Sequence, residues 1–210
     1  MHIFKKIFYI IVIYAFSLIN SAFSDTLKCT HIKNICDKLD KVVGIKTPMM
    51  IASGTIINDK IIVTNRHVVE DHKQFVIKFN NGEIKKAFPL PHNFPTDLAL
   101  LSLIKEPQKL NKLPKSNNIK GKIRVIAYDQ GRNANRIYKP GKIISFSDFN
   151  RYPQARIHTN AKSLPGNSGG SVVDENGVLI GILASGDGNI NEVIPVSLIN
   201  KIIENTDLIH

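Results

Sequence analysis

Only two cysteines, Cys29 and Cys36, occur in the 210-residue chain, so no framework of several disulfides can hold it together. Acidic residues are also scarce, 17 against 28 lysines and arginines. Such an excess favours anionic surfaces or acidic substrates in general. The basic residues are scattered, however, mostly as single lysines with no stripe and no interleaved aromatics, which argues against nucleic acid as a partner. No βαβ alternation and no internal repeat is present. His31, His72, His92, His158 and His210 have no ligand spacing, and DGNIN (187–191) lacks the sixth-position glycine and twelfth-position glutamate of a calcium loop. No metal and no cofactor is therefore expected.

An apolar run over residues 7–19 is 13 residues long, short of the roughly 20 that span a bilayer as a helix. Lys5 and Lys6 precede it, and Ala22 and Ser24 follow at the −3 and −1 positions of a cleavage site. Residues 1–24 thus read as a signal peptide, which predicts export to the periplasm or the medium and no membrane span after cleavage. Residues 25–210 number 186, suiting one large domain or two small subdomains that share a core. Cleavage removes two lysines and no acid, leaving 26 basic and 17 acidic residues and a formal charge of +9. In an oxidising compartment Cys29 and Cys36 can close a small loop as a disulfide.

From Val42 onward the chain reads as short strands separated by turn signals: MMIASGTII (49–57), KIIVT (60–64), FVIKF (75–79), EIKKAFPL (83–90) and DLALLSLI (97–104). Asn81-Gly82 predicts a two-residue hairpin turn, and Asn176-Gly177 predicts a second one. A segment rich in Lys, Asn and Pro (106–121) reads as a linker. Beyond it come KIRVIAY (122–128), GKIISFSDF, QARIHTN, SVVD and GVLIGILAS. Val196, Ile199, Ile202 and Ile203 recur at helical spacing behind Pro195, predicting a C-terminal helix over about 196–205. Regularly spaced short strands in two halves predict an all-β fold of paired barrels or a sandwich.

LPGNSGGSVV (164–173) is by itself an ordinary glycine-rich turn with a serine in it. Two other stretches change that reading: VTNRHVV with His67 and PTDLALL with Asp97, each at a strand-to-loop junction. A serine hydroxyl is a poor nucleophile near neutral pH; it needs a base to take its proton, and the base needs a carboxylate to fix its tautomer. The backbone N–H groups of Gly166 and Ser168 supply a candidate oxyanion hole, a task for which glycine has the required backbone freedom.

In the order His67, Asp97, Ser168, these three segments resemble the signature segments of the trypsin-like (chymotrypsin-fold) serine proteases. Asn65, Asn167 and the PGNSGG context resemble the bacterial HtrA-type branch in particular. The resemblance covers roughly residues 40–203 and implies two six-stranded antiparallel β-barrels with a C-terminal helix. The first barrel would span about 40–105 and the second about 122–195, with the active site between them. It implies a serine endopeptidase acting on protein or peptide substrates. It also places the primary pocket at Lys162 and at Leu183, Ala184, Ser185 and Gly186.

The departures from the family pattern are informative. Asn167 stands where activatable animal enzymes carry an aspartate that pairs with a freshly cut N-terminus, so that switch is not expected. Val68 replaces a cysteine that often follows the catalytic histidine. HtrA-type enzymes usually carry a PDZ domain, and the seven residues beyond Ile203 are too few for one, so a protease domain alone is expected. A Lys162 pointing into the pocket would select acidic side chains; pointing to solvent it leaves a small apolar pocket, the orientation favoured by the cost of an unpaired buried lysine. Two rival readings remain. G-x-S-x-G also occurs in α/β-hydrolases, but there the nucleophile precedes a helix and the histidine comes last, and here only His210 lies downstream. The other is a non-catalytic or conditionally active envelope protein whose oxyanion loop is unformed at rest, because Asn167 cannot make the ordering salt bridge.

Overall fold

The computed structural model describes residues 32–70, 72–91, 94–105, 110–114, 120–147, 154–187 and 189–205. The expected signal peptide and Cys29 lie outside them, as does part of the expected linker.

Six strands form a closed antiparallel barrel in the order β1-β2-β3-β6-β5-β4. They are β1 (Val42–Lys46), β2 (Ile51–Asn58), β3 (Ile61–Thr64), β4 (Phe75–Lys78), β5 (Ile84–Leu90) and β6 (Ala99–Ser102). In β4, Phe75 and Ile77 point inward while Val76 is exposed, the period-two alternation of a one-sided strand. β3 and β6 are buried along their whole length, because their outer faces are covered by the second half of the molecule.

The second half is a seven-stranded antiparallel sheet in the order β8-β7-β11-β12-β13-β10-β9. Its strands are β7 (Arg124–Asp129), β8 (Ala134–Ile137), β9 (Ile143–Ser147), β10 (Arg156–Thr159), β11 (Ser171–Val173), β12 (Leu179–Gly186) and β13 (Asn191–Pro195). One strand more than the expected six is present. An Ile123–Gly141 bridge and the Lys162 N–H bond to the Lys139 carbonyl (3.2 Å) bring the β8–β9 connection alongside the continuation of β10, so the sheet curls toward a barrel. A ten-residue C-terminal helix, Val196–Asn205, follows β13 directly and buries Leu198, Ile199, Ile202 and Ile203.

Four apolar clusters form the core of the described residues, the smallest gathering Ile35, Val42, Ile126 and Val173. Val43, Ile45, Phe75 and Leu101 fill the first barrel, and Val125, Ile157, Val172 and Val193 fill the second. The third cluster joins Ile61, Val63 and Leu100 to Ile182, Ile194 and the terminal helix, so the two halves share one interior seam. No helix among the described residues is long and apolar enough to cross a membrane.

Both expected two-residue hairpin turns are in fact three-residue loops. Phe79 N–H bonds to the Glu83 carbonyl and Gly82 N–H to the Phe79 carbonyl, with Gly82 at φ +87. Asp174 and Val178 enclose Glu175-Asn176-Gly177 in the same way, with Gly177 at φ +76. A type I turn closed by a left-handed glycine uses the Asn-Gly pair one position later than a two-residue loop does.

Candidate active site

The register of β3 against β6 builds the first part of the site. Thr64 pairs with Ala99, so the chain leaving β3 and the chain entering β6 run side by side, bringing the one-turn helix Arg66–Val69 against Asp97. His67 Nδ1 lies 2.9 Å from Asp97 Oδ2 and 3.1 Å from Oδ1, and the His67 backbone N–H donates to Oδ1 at 3.1 Å. Buried Asn65 donates its side-chain N–H to the Asp97 carbonyl at 3.0 Å, which fixes the backbone that carries the carboxylate. The hydrogen bond to Asp97 raises the His67 pKa above its ordinary value, with partial burial opposing and Glu70 adding a smaller rise. With Nδ1 engaged by a carboxylate, the neutral ring carries its proton there and keeps Nε2 free as a base.

Ser168 sits in the loop before β11. Its hydroxyl donates to the Ala184 carbonyl at 3.0 Å, and no hydrogen bond joins it to His67. Ala184 is the residue at which the β12–β13 register slips between Leu183 and Ser185, and such a bulge turns a carbonyl out of the ladder. Pairing of β11 with β12 ends at Ile182, so residues 184–186 have one edge without a strand partner among the described residues.

The loop around Ser168 is tied down from both barrels. Of the seven carbonyls of residues 164–170, six accept a hydrogen bond. Leu164 is held by Asn167 N–H, Gly166 by the Ser53 hydroxyl, Asn167 by Gly170 N–H, Ser168 by Ser53 N–H, Gly169 by the Thr55 hydroxyl and Gly170 by Leu183 N–H. The Pro165 carbonyl accepts none among the described residues, and the N–H groups of Gly166 and Ser168 find no acceptor there either. Gly166 (φ +87) and Gly169 (φ +86) occupy the left-handed region, and a Cβ on Gly169 would fall 1.9 Å from the Ser53 carbonyl oxygen. Asn167 is buried; its Oδ1 accepts from Leu164 N–H at 2.7 Å, and its Nδ2 donates to the Tyr128 carbonyl at 3.1 Å and to the Tyr138 hydroxyl at 3.0 Å. Burial pushes the Tyr138 phenol above its ordinary pKa, so it stays neutral as the acceptor.

A cavity of about 340 Å³ is lined by Ser168, Gly166 and four residues expected in the pocket, Lys162, Leu183, Ser185 and Gly186. Ala184 is buried behind that wall and contributes only its carbonyl. A larger cavity, about 430 Å³, lies against Arg66 and Val69 and does not include Ser168. Lys162 is exposed. Several residues in the 340 Å³ cavity's vicinity escaped the sequence reading. Asp187 lines it and carries a carboxylate held below its ordinary pKa by the Ile190 and Asn189 N–H groups. Asn191 fills the space behind it: its Oδ1 accepts from the Ser163 hydroxyl at 2.7 Å and its Nδ2 donates to the Ala161 carbonyl at 2.6 Å. Oδ1 of Asn191 packs so closely on Gly186 that a Cβ there would lie 1.7 Å away. Ser53 and Tyr138 were missed too; the only local sign of Ser53 was the small-residue run Ala-Ser-Gly-Thr in an otherwise isoleucine-rich strand. Among the described residues no cluster of three or more His, Cys, Asp or Glu side chains forms a metal site.

Two facing β-halves with a histidine–carboxylate pair on one and a glycine-bracketed serine on the other define a trypsin-like architecture, and residues 52–182 match the family model of the trypsin-like peptidase domain; the chain belongs to that family. Among curated and solved proteins, the chain is similar to HtrA-type proteases. The chain is 27% identical over 173 residues to serine endoprotease DegS of Escherichia coli, an overlap of 73% of this chain and 47% of DegS. It is 28% identical over 169 residues to a probable periplasmic serine endoprotease, DegP-like, of Buchnera aphidicola, covering 72% of this chain and 35% of that protein. The chain thus spans half or less of these relatives. Among solved structures, the HtrA-type protease AlgW with a bound tripeptide superposes with a TM-score of 0.68 at 25% identity, covering 82% of this chain and 62% of AlgW.

Proposed function

We propose that the chain is an exported serine endopeptidase that cleaves peptide bonds through His67, Asp97 and Ser168. The Ser168 oxygen attacks the substrate carbonyl carbon while His67 Nε2 takes the hydroxyl proton, and the carbonyl electrons move onto an oxyanion held by the Gly166 and Ser168 N–H groups. Collapse expels the amine, which takes the proton from His67 and leaves an acyl-Ser168 ester. Water, deprotonated by His67, then releases the acid and restores the serine. Asp97 keeps the ring in the required tautomer and stabilises the imidazolium. Support comes above all from the hydrogen-bond accounting of the nucleophile loop, which leaves two N–H groups without an acceptor beside the serine. The open edge of residues 184–186 suits a substrate strand added antiparallel above Ser168.

The pocket composed of Lys162, Leu183, Ser185 and Gly186 suits a small neutral side chain. Asn191 packs against two of the lining residues, Ser163 and Gly186, Lys162 reaches solvent, and Asp187 shares the lining. A peptide library cleaved equally after Glu and after Val would overturn that preference. We further propose a 1–24 leader, a protease domain over 25–210, periplasmic or secreted residence and a Cys29–Cys36 disulfide; Cys36 is not a free thiol.

One observation favours the conditionally active reading: the Ser168 hydroxyl rests on the Ala184 carbonyl rather than on His67, so the first step must transfer that hydrogen bond. The deciding experiment compares casein or peptide hydrolysis by the 25–210 chain and its Ser168→Ala variant, with reactivity toward a fluorophosphonate measured alongside. Loss of a triad nucleophile costs about a millionfold in turnover. Equal rates in the two proteins would remove Ser168 from its role; fluorophosphonate labelling without peptide hydrolysis would select the conditional form.

A further inference from the structure

We infer that Ser53, a first-barrel residue with no place in the reaction itself, is a positioning residue that holds the Gly166 end of the oxyanion hole through its side-chain hydroxyl; the inference rests on the proposed peptidase reading. Ser53 lies in β2 and is fully buried. Its hydroxyl accepts from Tyr128 N–H at 3.0 Å and donates to the Gly166 carbonyl at 3.2 Å, while its own N–H donates to the Ser168 carbonyl at 2.8 Å. Because Tyr128 N–H takes a lone pair, the hydroxyl proton is directed at Gly166. One buried O–H thus links the end of β7 to the loop, with its orientation determined from both sides.

The need for this bond follows from the loop's own chemistry. The Gly166 N–H belongs to the Pro165–Gly166 peptide, whose carbonyl is the only one of residues 164–170 with no donor among the described residues. Gly166 has no Cβ to restrict its rotation and sits at φ +87. The peptide that follows, between Gly166 and Asn167, is therefore the nearest anchor for that N–H, and Ser53 Oγ supplies the bond to its carbonyl. Asn167 secures the far side through Leu164, Tyr128 and Tyr138. Removing the hydroxyl leaves the backbone bond from Ser53 N–H to Ser168 in place, so the nucleophile stays put while the neighbouring oxyanion donor loosens.

The test measures kcat and KM on a chromogenic peptide, affinity for a peptidyl trifluoromethyl ketone that forms the tetrahedral adduct, and amide hydrogen exchange over residues 164–170. It uses wild type, Ser53→Ala and Ser102→Ala. Ser102 is an equally buried first-barrel serine whose hydroxyl donates to the Ile104 carbonyl, away from the loop. Losing a whole oxyanion donor costs about a hundredfold or more, so loosening one predicts a loss of about tenfold to a hundredfold in kcat for Ser53→Ala. KM should stay within about twofold, adduct affinity should weaken in step with kcat, and exchange should accelerate over 164–170, with Ser102→Ala resembling wild type in all four. Equal loss in both variants, or unchanged kcat and exchange in Ser53→Ala, would overturn the positioning role while leaving the peptidase reading intact. Absence of both hydrolysis and fluorophosphonate labelling in wild type would overturn the peptidase reading, and unchanged exchange in Ser53→Ala would then sink the role of Ser53 separately. If Ser53→Ala does not fold, Ser53→Cys, close in volume but a weak donor, replaces it with the same expected outcomes.

Discussion

Replacing Asn167 by aspartate changes one buried atom from a donor to an acceptor, and the cost should depend on pH. In the native protein the Asn167 amide group makes two donations, to the Tyr128 carbonyl and the Tyr138 hydroxyl, and its oxygen accepts from Leu164. In the Asn167→Asp variant the Leu164 bond survives. A protonated aspartic acid can still donate to the Tyr128 carbonyl, but the Tyr138 hydroxyl must turn to donate to the carboxyl, a rearrangement of a buried network that costs about 1–3 kcal/mol. An ionised aspartate leaves the Tyr128 carbonyl without its donor and places a negative charge against it, while only the Tyr138 hydroxyl can turn to donate to the carboxylate. The nearest cation facing Tyr138, the Arg136 guanidinium, is already paired with Asp129 at 3.1 Å. Burial without a free cation raises the folded-state pKa of the new carboxyl above its unfolded value of about 3.9, and each unit of rise adds about 1.4 kcal/mol. A group whose folded pKa is raised in this way favours its protonated form on folding. The extra penalty is therefore absent below the unfolded value, grows as pH rises toward the folded value and is constant above it. With a rise of about two units, within the range for buried carboxyls, we expect a loss of about 1–3 kcal/mol at pH 4 and about 4–6 kcal/mol at pH 8, against a typical domain stability of about 5–15 kcal/mol. Urea unfolding of wild type and variant at both pH values measures the difference. A penalty that is equal at the two pH values, or smaller at pH 8, would refute the buried environment assigned to Asn167, in which the nearby Arg132 and Arg136 guanidiniums are engaged by Asp129.

Two further outcomes follow from the same geometry. Because hydrogen bonding to Asp97 raises the His67 pKa, the acid limb of kcat/KM should have its midpoint above the ordinary histidine value of about 6.5, and Asp97→Asn should move that midpoint down; an upward move in the pH–rate profile would contradict the assignment. The same shift means that His67 contributes stability fully present below the ordinary value and lost as pH rises through the raised one. Gly82→Ala and Gly169→Ala place an alanine at nearly the same positive φ, but nothing lies within 4 Å of the first Cβ, whereas the second meets the Ser53 carbonyl oxygen at 1.9 Å. The first should cost about 1–2 kcal/mol and the second more than about 4 kcal/mol, as read by thermal or urea unfolding, and equal losses would contradict the close packing of loop on β2.

Much of the architecture was legible because it follows from local periodicity. Short apolar runs between turn signals marked β3, β4 and β6, and isoleucines at helical spacing behind Pro195 placed the terminal helix at Val196–Asn205. β8 was not legible: its Ala-Asn-Arg-Ile carries no apolar alternation and is a strand because β7 pairs with it. β13 was not singled out as a strand, since its apolar residues continue straight into the helical pattern. The hairpins were recognised by Asn-Gly but their length was not, because loop length is set by which residues across the turn close the last hydrogen bonds.

The sequence by itself singled out the residues proposed to carry the chemistry: His67, Asp97 and Ser168 each lie in a short stretch that gains a chemical reason from the other two. It also gave Gly166 a backbone task for which glycine has the required freedom; that Gly166 and Gly169 both sit in the left-handed region came from the structure. Only the tertiary structure decided that the Ser168 hydroxyl rests on the Ala184 carbonyl, that Asn191 fills the space behind Gly186 and that Ser53 and Thr55 hold the nucleophile loop from the opposite barrel. The reason is physical. Periodicity and turn chemistry act over a few residues and are written locally. A hydrogen bond between residues 113 positions apart depends on strand register and on the docking of two barrels, which no local pattern specifies.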